Sequence, residues 1–503
     1  MLDVIHRPLA ALARACALPA LGLLLAGGTA VAQVTPSVGG GQPGVYQGPM
    51  TQHPLVIPAT PFQWTASTGL GAVKVPFPGQ FGWTHFIGLD FQARIIPSVS
   101  TDPTMEVIFY PPASGHPTKA ERITIQFPMD PGKIRGSGAM VLAFHGFGVS
   151  EKDIFVNSAL PQLCAQRGYL LVAPYGLTDT HYGNLPSQAS LDKVLELVDA
   201  FFDWDEDRVY AAGFSMGGGA ATSYAMRRQD ENRRRIAGVI NHTGTMDLLG
   251  TYNDGTTALK LLMADNDHFG GHPGDADSAF PYERVSPVVL SGAVVDPMRA
   301  PVRNLSHLPI YQYVNLDDPQ VNLVNDNLAV GSYLLSQGVN LNQVTNHAGS
   351  QHAWSTLNLT AAFDWLEHYS LPDLPTDTPV FADTETKYFH TTVRAKTDKR
   401  MASFEMSVDL TTATVEVTET NDLDVLFLDL EGMGLNTSQF LVGTWGSADG
   451  TGDQLILGGI TSAPSQVLFG GQPSANWSHD PVAAELTLDM RAGSVPVIWS
   501  VAP

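Results

Sequence analysis

The residues with the clearest chemical potential lie in Gly213-Phe214-Ser215-Met216-Gly217. A serine between small residues, set between an apolar run and a helical stretch, fits a sharp strand-to-helix turn that lifts the hydroxyl clear of the backbone. The helix N-terminus favours negative charge forming there. A serine hydroxyl is a poor nucleophile until an imidazole accepts its proton and a carboxylate orients that imidazole. Two late histidines qualify as the base, in Asn346-His347-Ala348-Gly349-Ser350-Gln351-His352. His352 is preferred because it precedes the last helix of this region; His347 is the rival. Asp317 and Asp318 follow an apolar run ending at Val314, and Asp318, which starts the turn with Pro319, is preferred. Asp296 is a weaker candidate. The oxyanion of an acyl-transfer intermediate needs two backbone N–H donors. The expected donors are Met216, after the nucleophile, and Phe147 in the loop His145-Gly146-Phe147-Gly148, with His145 bracing that loop.

These residues need a scaffold that holds them. Apolar runs at 139–144, 169–173, 208–212 and 236–240 read as strands buried on both faces. Helical patterns fall between them at about 154–167, 191–202 with Ser190 as N-cap, and 215–227. This alternation predicts an α/β fold with a doubly wound, mostly parallel sheet and right-handed crossovers. Residues 247–306, with Asn253-Asp254-Gly255 and Gly270-Gly271, break the alternation and read as an insertion able to cap a site. The pattern resumes at 310–314 and ends with a helix at 354–369. Strand patterns at 89–96, 105–110 and 122–127 precede the core, so the catalytic domain is expected over 85–370. Residues 371–383 read as a Pro-rich linker, and 384–503 as a C-terminal all-β, sandwich-like domain.

The His-Gly-Phe turn, Asp192 on its helix, Asp207-Arg208-Val209-Tyr210 and Gly213-Phe214-Ser215-Met216-Gly217-Gly218-Gly219 resemble the α/β-hydrolase superfamily. Within it they look like the polyhydroxyalkanoate depolymerase and feruloyl esterase branch, whose neighbours include secreted polyester-cleaving and acetyl-xylan-type esterases. The resemblance covers roughly 135–370. It implies ester hydrolysis by a Ser215–Asp318–His352 triad with no cofactor and no metal. Two departures bear on substrate: Phe147 stands where the branch often has Cys, and Asp318-Pro319-Gln320-Val321-Asn322 replaces its Asp-x-x-Val-Pro. The readings set against the esterase are a serine peptidase and a non-catalytic polymer-binding protein acting through the β-domain.

Composition narrows the setting. Length alone, at roughly 100–200 residues per domain, suggests two or three domains for 503 residues. Arg7 and Arg14, the apolar run 15–26 and Ala30-Val31-Ala32 read as a signal peptide over 1–32, implying a secreted or periplasmic protein. A Gly/Pro/Gln-rich extended segment over 33–84 follows. Cys164 is then the lone cysteine of the mature chain and reads as a buried hydrophobe. The net charge of −22 argues against nucleic acid and anionic membranes as partners. No segment after the leader is long and apolar enough for stable membrane insertion. The expected partner is a neutral or weakly charged ester, polymeric esters included. Asp265, Asp267, Asp275 and Asp277 with His268 and His272 match no calcium loop and read as a solvated acidic loop. Trp445, Trp477 and Trp499 could stack on a polymer, though core packing is the commoner use.

Overall fold

The computed structural model describes residues 51–54, 84–87, 91–96, 102–109, 119–128, 138–202, 204–230, 233–275, 278–383, 386–447, 453–490 and 497–503. The expected signal peptide, and nearly all of the expected extended segment, lie outside these residues. The chain divides into two compact units, residues 1–217 with 353–368, and residues 218–352 with 369–503.

In the first unit the strands are β1 (Thr51–Pro54), β2 (Thr84–Ile87), β3 (Phe91–Ile96), β4 (Thr104–Phe109), β5 (Glu121–Gln126), β6 (Met140–Phe144), β7 (Leu170–Pro174) and β8 (Val209–Phe214). Their order is β1-β2-β3-β4-β5-β7-β6-β8. β7, β6 and β8 are parallel, every residue of each is buried, and helices connect them. β2 through β5 and β7 pair antiparallel in succession. The doubly wound arrangement therefore carries an antiparallel wing.

The helix expected over 154–167 is two helices, α1 (Asp153–Asn157) and α2 (Leu160–Arg167). Pro161 lacks the N–H an uninterrupted helix needs and sits instead in the first turn of α2. The next helix, α3 (Leu185–Phe201), starts earlier than expected. Asn184, not Ser190, is its N-cap, accepting from the Ser187 N–H, and Pro186 occupies its first turn. Next comes α4 (Met216–Arg227), directly after β8.

The second unit holds β9 (Gly238–His242) and, after the insertion, the remaining core strands. The insertion comprises α5 (Leu248–Asp254), α6 (Thr257–Met263), α7 (Phe280–Glu283), the hairpin β10 (Leu290–Ser291) with β11 (Val294–Val295), and two 3-10 turns. The strand β12 (Ile310–Asn315) pairs in parallel with both β9 and β13 (Leu341–Asn346). The helix between them is α8 (Val321–Ser336). The last core helix is a 3-10 turn, Trp354–Thr356, followed by α9 (Leu359–Leu366), which Asn358 caps and which belongs to the first unit. Parallel strands alternating with helices, with a serine turn at the end of β8, make this an α/β-hydrolase fold.

Among the described residues the C-terminal region is all β, in one seven-stranded and one six-stranded sheet. Residues of both sheets, among them Phe404, Val415, Leu426, Leu457, Leu488, Trp445 and Trp499, form a common core. The expected linker 371–383 is not linker throughout. Thr378–Ala382 is a strand paired antiparallel with Ala402–Asp409, so the β-region begins inside it. Asp383 is buried against Arg227 and Arg284 at 2.6 and 2.9 Å, and Tyr388 Oη donates to it at 3.0 Å. Asn304 Nδ2 donates to Phe381 O, and Phe381 N–H donates to Asn304 Oδ1, both at 2.8 Å. These bonds fasten the start of the β-region to the core and insertion.

Candidate active site

Ser215 stands at the junction of β8 and α4, with φ of 56°. Left-handed backbone is costly for a non-glycine residue and persists only where its surroundings enforce it. Here β8 is pinned in the sheet and α4 starts at the next residue. Gly217 lets the helix approach closely, since a Cβ there would meet Phe144 O at 2.2 Å and His145 O at 2.6 Å. The side chains of Ser215 and Met216 are both buried.

The loop after β6 holds the other proposed oxyanion donor. His145 is fully buried, its Nδ1 2.8 Å from Gly146 O and its Nε2 2.9 Å from Tyr175 O. Gly148, at φ 73°, donates its N–H to Asp179 O at 2.8 Å. Phe147 is half-exposed and its ring lies 5.6 Å from that of Tyr182.

In the second unit, both candidate His–Asp pairs form. His352 Nδ1 lies 2.8 Å from Asp318 Oδ2, and His347 Nδ1 lies 2.8 Å from Asp317 Oδ1. Burial separates them. The Asp318 and His352 side chains are 2% and 21% exposed, against 37% and 72% for Asp317 and His347. Asp318 Oδ1 also accepts the Gln320 N–H at 2.8 Å, which fixes the carboxylate rotamer. The Asp317 carboxyl is lowered by its hydrogen bonds from His347 and the Gly349 N–H. Asp296 is otherwise engaged: it caps a 3-10 turn and pairs with Arg299 at 2.8 Å.

Sequence reasoning assigns no role to three buried groups here. Asn315, at the end of β12, donates through Nδ2 to Gly349 O and Gln351 O and accepts the Ala348 N–H, so it shapes the loop leading to His352. His242 ends β9 in full burial. Burial, with His352 nearby, pushes it down to about 3, so it stays neutral. Glu121, at the start of β5, is fully buried; burial and the nearby Glu151 push its carboxyl up to about 7 against four hydrogen-bond donors. Glu121 shares β5 with the polar Arg122, Thr124 and Gln126, so nothing in the local pattern marks it out.

The other candidates take bland places. Cys164 is buried and its thiol is pushed up by burial, so it is no nucleophile. Trp445 and Trp499 are core residues, while Trp477 is half-buried and donates to Ser474 O at 3.0 Å. Among the described residues no group of three or more His, Cys, Asp or Glu could hold a metal ion. No helix of the described residues is long and apolar enough to cross a membrane.

No family model matches the chain, and no curated protein matches it significantly. Among solved structures it is similar to the fluorophosphonate-binding serine hydrolase F of Staphylococcus aureus, with 12% identity over 55% of this chain and 97% of that one (TM-score 0.39). It is similar to an S-formylglutathione hydrolase from Agrobacterium tumefaciens, with 11% identity over 55% and 98% (TM-score 0.39). An acetyl xylan esterase from Paenibacillus sp. R4 shows 13% identity over 56% and 89% (TM-score 0.39). Likeness of this degree carries no functional argument, and the assignment of a function rests on the chain's own residues.

Proposed function

We propose that the chain is a serine carboxylic-ester hydrolase in which Ser215 is the nucleophile, His352 the base and Asp318 its orienting carboxylate. The observation that carries this is the left-handed backbone of Ser215 at the β8–α4 junction. A strained, non-glycine serine at the mouth of a parallel sheet is the geometry that nucleophilic catalysis requires. Two further observations support it. The buried His352–Asp318 pair has its Nδ1 committed to the carboxylate, which leaves Nε2 to exchange protons. Phe214, immediately before Ser215, packs its ring 5.6 Å from Trp354, two residues after His352.

In this reading His352 Nε2 takes the Ser215 proton as Oγ attacks the ester carbonyl. The oxyanion is held by the Met216 and Phe147 N–H groups. The imidazolium returns the proton to the leaving alkoxide, releasing an alcohol. Water, deprotonated by the same imidazole, then cleaves the acyl-enzyme to the acid. No cofactor or metal takes part in these steps.

The substrate class proposed is a neutral or weakly charged ester, including the polyester, feruloyl and acetyl esters of the branch the motifs resemble. The proposal places the enzyme outside the cytoplasm, on the signal-peptide pattern of residues 1–32. Hydrolysis of p-nitrophenyl esters from acetate to decanoate tests the activity and ranks acyl length. Inertness toward the whole series, with cleavage of peptide substrates or of nothing, overturns the esterase reading.

A further inference from the structure

The turn that follows β7 is built around a carboxylate. Glu121 Oε1 accepts the N–H groups of Tyr175 and Gly176 at 2.8 and 3.0 Å. Its Oε2 accepts the Leu177 N–H at 3.0 Å and the Ser190 hydroxyl at 2.7 Å. Three successive amides converging on one carboxyl group form a backbone cradle of the kind that binds anions, here filled from within the chain. The turn is strained: Gly176 has φ 68°, and Leu177, which is not glycine, has φ 69°. A left-handed leucine costs about 1–2 kcal/mol. Nothing in a βα connection demands that cost, so its presence asks what the turn positions.

It positions the loop after β6. Tyr175, the first residue in the cradle, offers its carbonyl to His145 Nε2 at 2.9 Å, and its ring stacks on that of His145. Four residues on, Asp179 O accepts the Gly148 N–H at 2.8 Å. The loop 145–148 is thus tied at both ends to the segment that Glu121 holds. Between the ties lies Phe147.

We propose that Glu121 is a positioning residue for the oxyanion hole, acting through the Tyr175–Asp179 turn and His145 to set the direction of the Phe147 N–H. It touches no substrate. This rests on the serine-esterase reading above, in which Phe147 is an oxyanion donor.

The geometry sets the expected kinetic pattern. A displaced donor weakens binding of the transition state more than that of the substrate, so kcat falls and KM changes little. Removing an oxyanion donor outright costs about 10²–10³ in kcat. Displacing one should cost about 10- to 100-fold. The variant is Glu121→Gln, which keeps the shape but turns an amide NH₂ toward backbone N–H groups. Activity is read per active site, titrated with a fluorophosphonate, and the inhibition constant of a trifluoromethyl ketone is measured in parallel. That ketone forms a tetrahedral oxyanion on the serine. The expected result is a kcat loss of about 10- to 100-fold with KM within about 3-fold, and an inhibition constant raised by the same factor as kcat/KM falls. Ser190→Ala removes one donor to the carboxylate and serves where Glu121→Gln does not fold; a loss of about 3-fold in the same parameter is expected. Unchanged kcat per active site, with only a lowered melting temperature, overturns the proposal, as does a loss confined to KM. Wild type that neither turns over esters nor reacts with the fluorophosphonate brings down the esterase reading itself, and this proposal with it.

Discussion

Asp318→Asn separates the two His–Asp pairs, and its effect can be worked from their surroundings. The carboxylate uses one oxygen for His352 Nδ1 and the other for the Gln320 N–H, both at 2.8 Å, in nearly complete burial. Asparagine offers one oxygen and one NH₂ to those two positions. With the oxygen toward Gln320, the NH₂ faces Nδ1 and forces the proton onto Nε2, so the imidazole can no longer accept from Ser215. With the oxygen toward His352, the NH₂ meets the Gln320 N–H and two donors face each other in a buried site. The first arrangement loses the working tautomer, and the second keeps it only at the cost of two facing donors in burial. Loss of this orienting role costs about 10⁴ in kcat, equivalent to about 5.4 kcal/mol of transition-state stabilisation. Asp317→Asn instead removes a partner from an exposed pair, where solvent screens the interaction, and kcat should stay within about 2-fold of wild type. The assay is kcat at saturating p-nitrophenyl butyrate for both variants and wild type. Asp318→Asn within about 10-fold of wild type, or Asp317→Asn as damaged as Asp318→Asn, refutes the assignment.

Other consequences concern stability. Asp383→Asn leaves Arg227 and Arg284 facing a neutral group in burial, so about 3–5 kcal/mol should be lost, read as a lowered denaturant midpoint. Burial would raise the Asp383 carboxyl, but the two guanidiniums more than offset it and hold it at about 2. Its contribution is therefore present above about 3.8 and lost as pH falls through about 2. Glu121 and Asp326 act in the opposite sense. Burial pushes both to about 7, with Glu151 adding at the first, and Asp247 and Asp254 at the second. The folded chain holds protons that the unfolded chain releases, so this contribution is full below the ordinary carboxyl range and lost as pH rises through about 7. Melting temperature should fall between pH 5 and 8, and Glu121→Gln should flatten that slope; an equally steep slope in the variant counts against Glu121.

What could be read from the sequence depended on how local the signal was. The serine turn is legible because Gly213 to Gly219 and the apolar run before them lie within a dozen residues. The parallel strands declare themselves by continuous apolar runs, as in Met140–Phe144. The antiparallel wing was harder, because β3, β4 and β5 read as strands without showing their direction. By its type and position Ser190 fits a helix cap. Its hydroxyl is instead spent on Glu121, 69 residues away, while Asn184 makes the cap with the Pro186 turn. Glu121 and Asn315 escaped for the same reason: their bonds reach 54–56 and 33–36 residues along the chain, and no local pattern encodes them. Position before the last helix favours His352 over His347 in the sequence, and in the structure burial separates the two His–Asp pairs.

The central claim is that one serine is the nucleophile. The direct measurement is mass spectrometry of the chain after reaction with a fluorophosphonate, with ester hydrolysis followed in the same samples. The predicted result is a single adduct on the peptide carrying Ser215, loss of hydrolysis in step with labelling, and neither labelling nor hydrolysis in Ser215→Ala. An adduct on another residue, or hydrolysis that survives in Ser215→Ala, would contradict it.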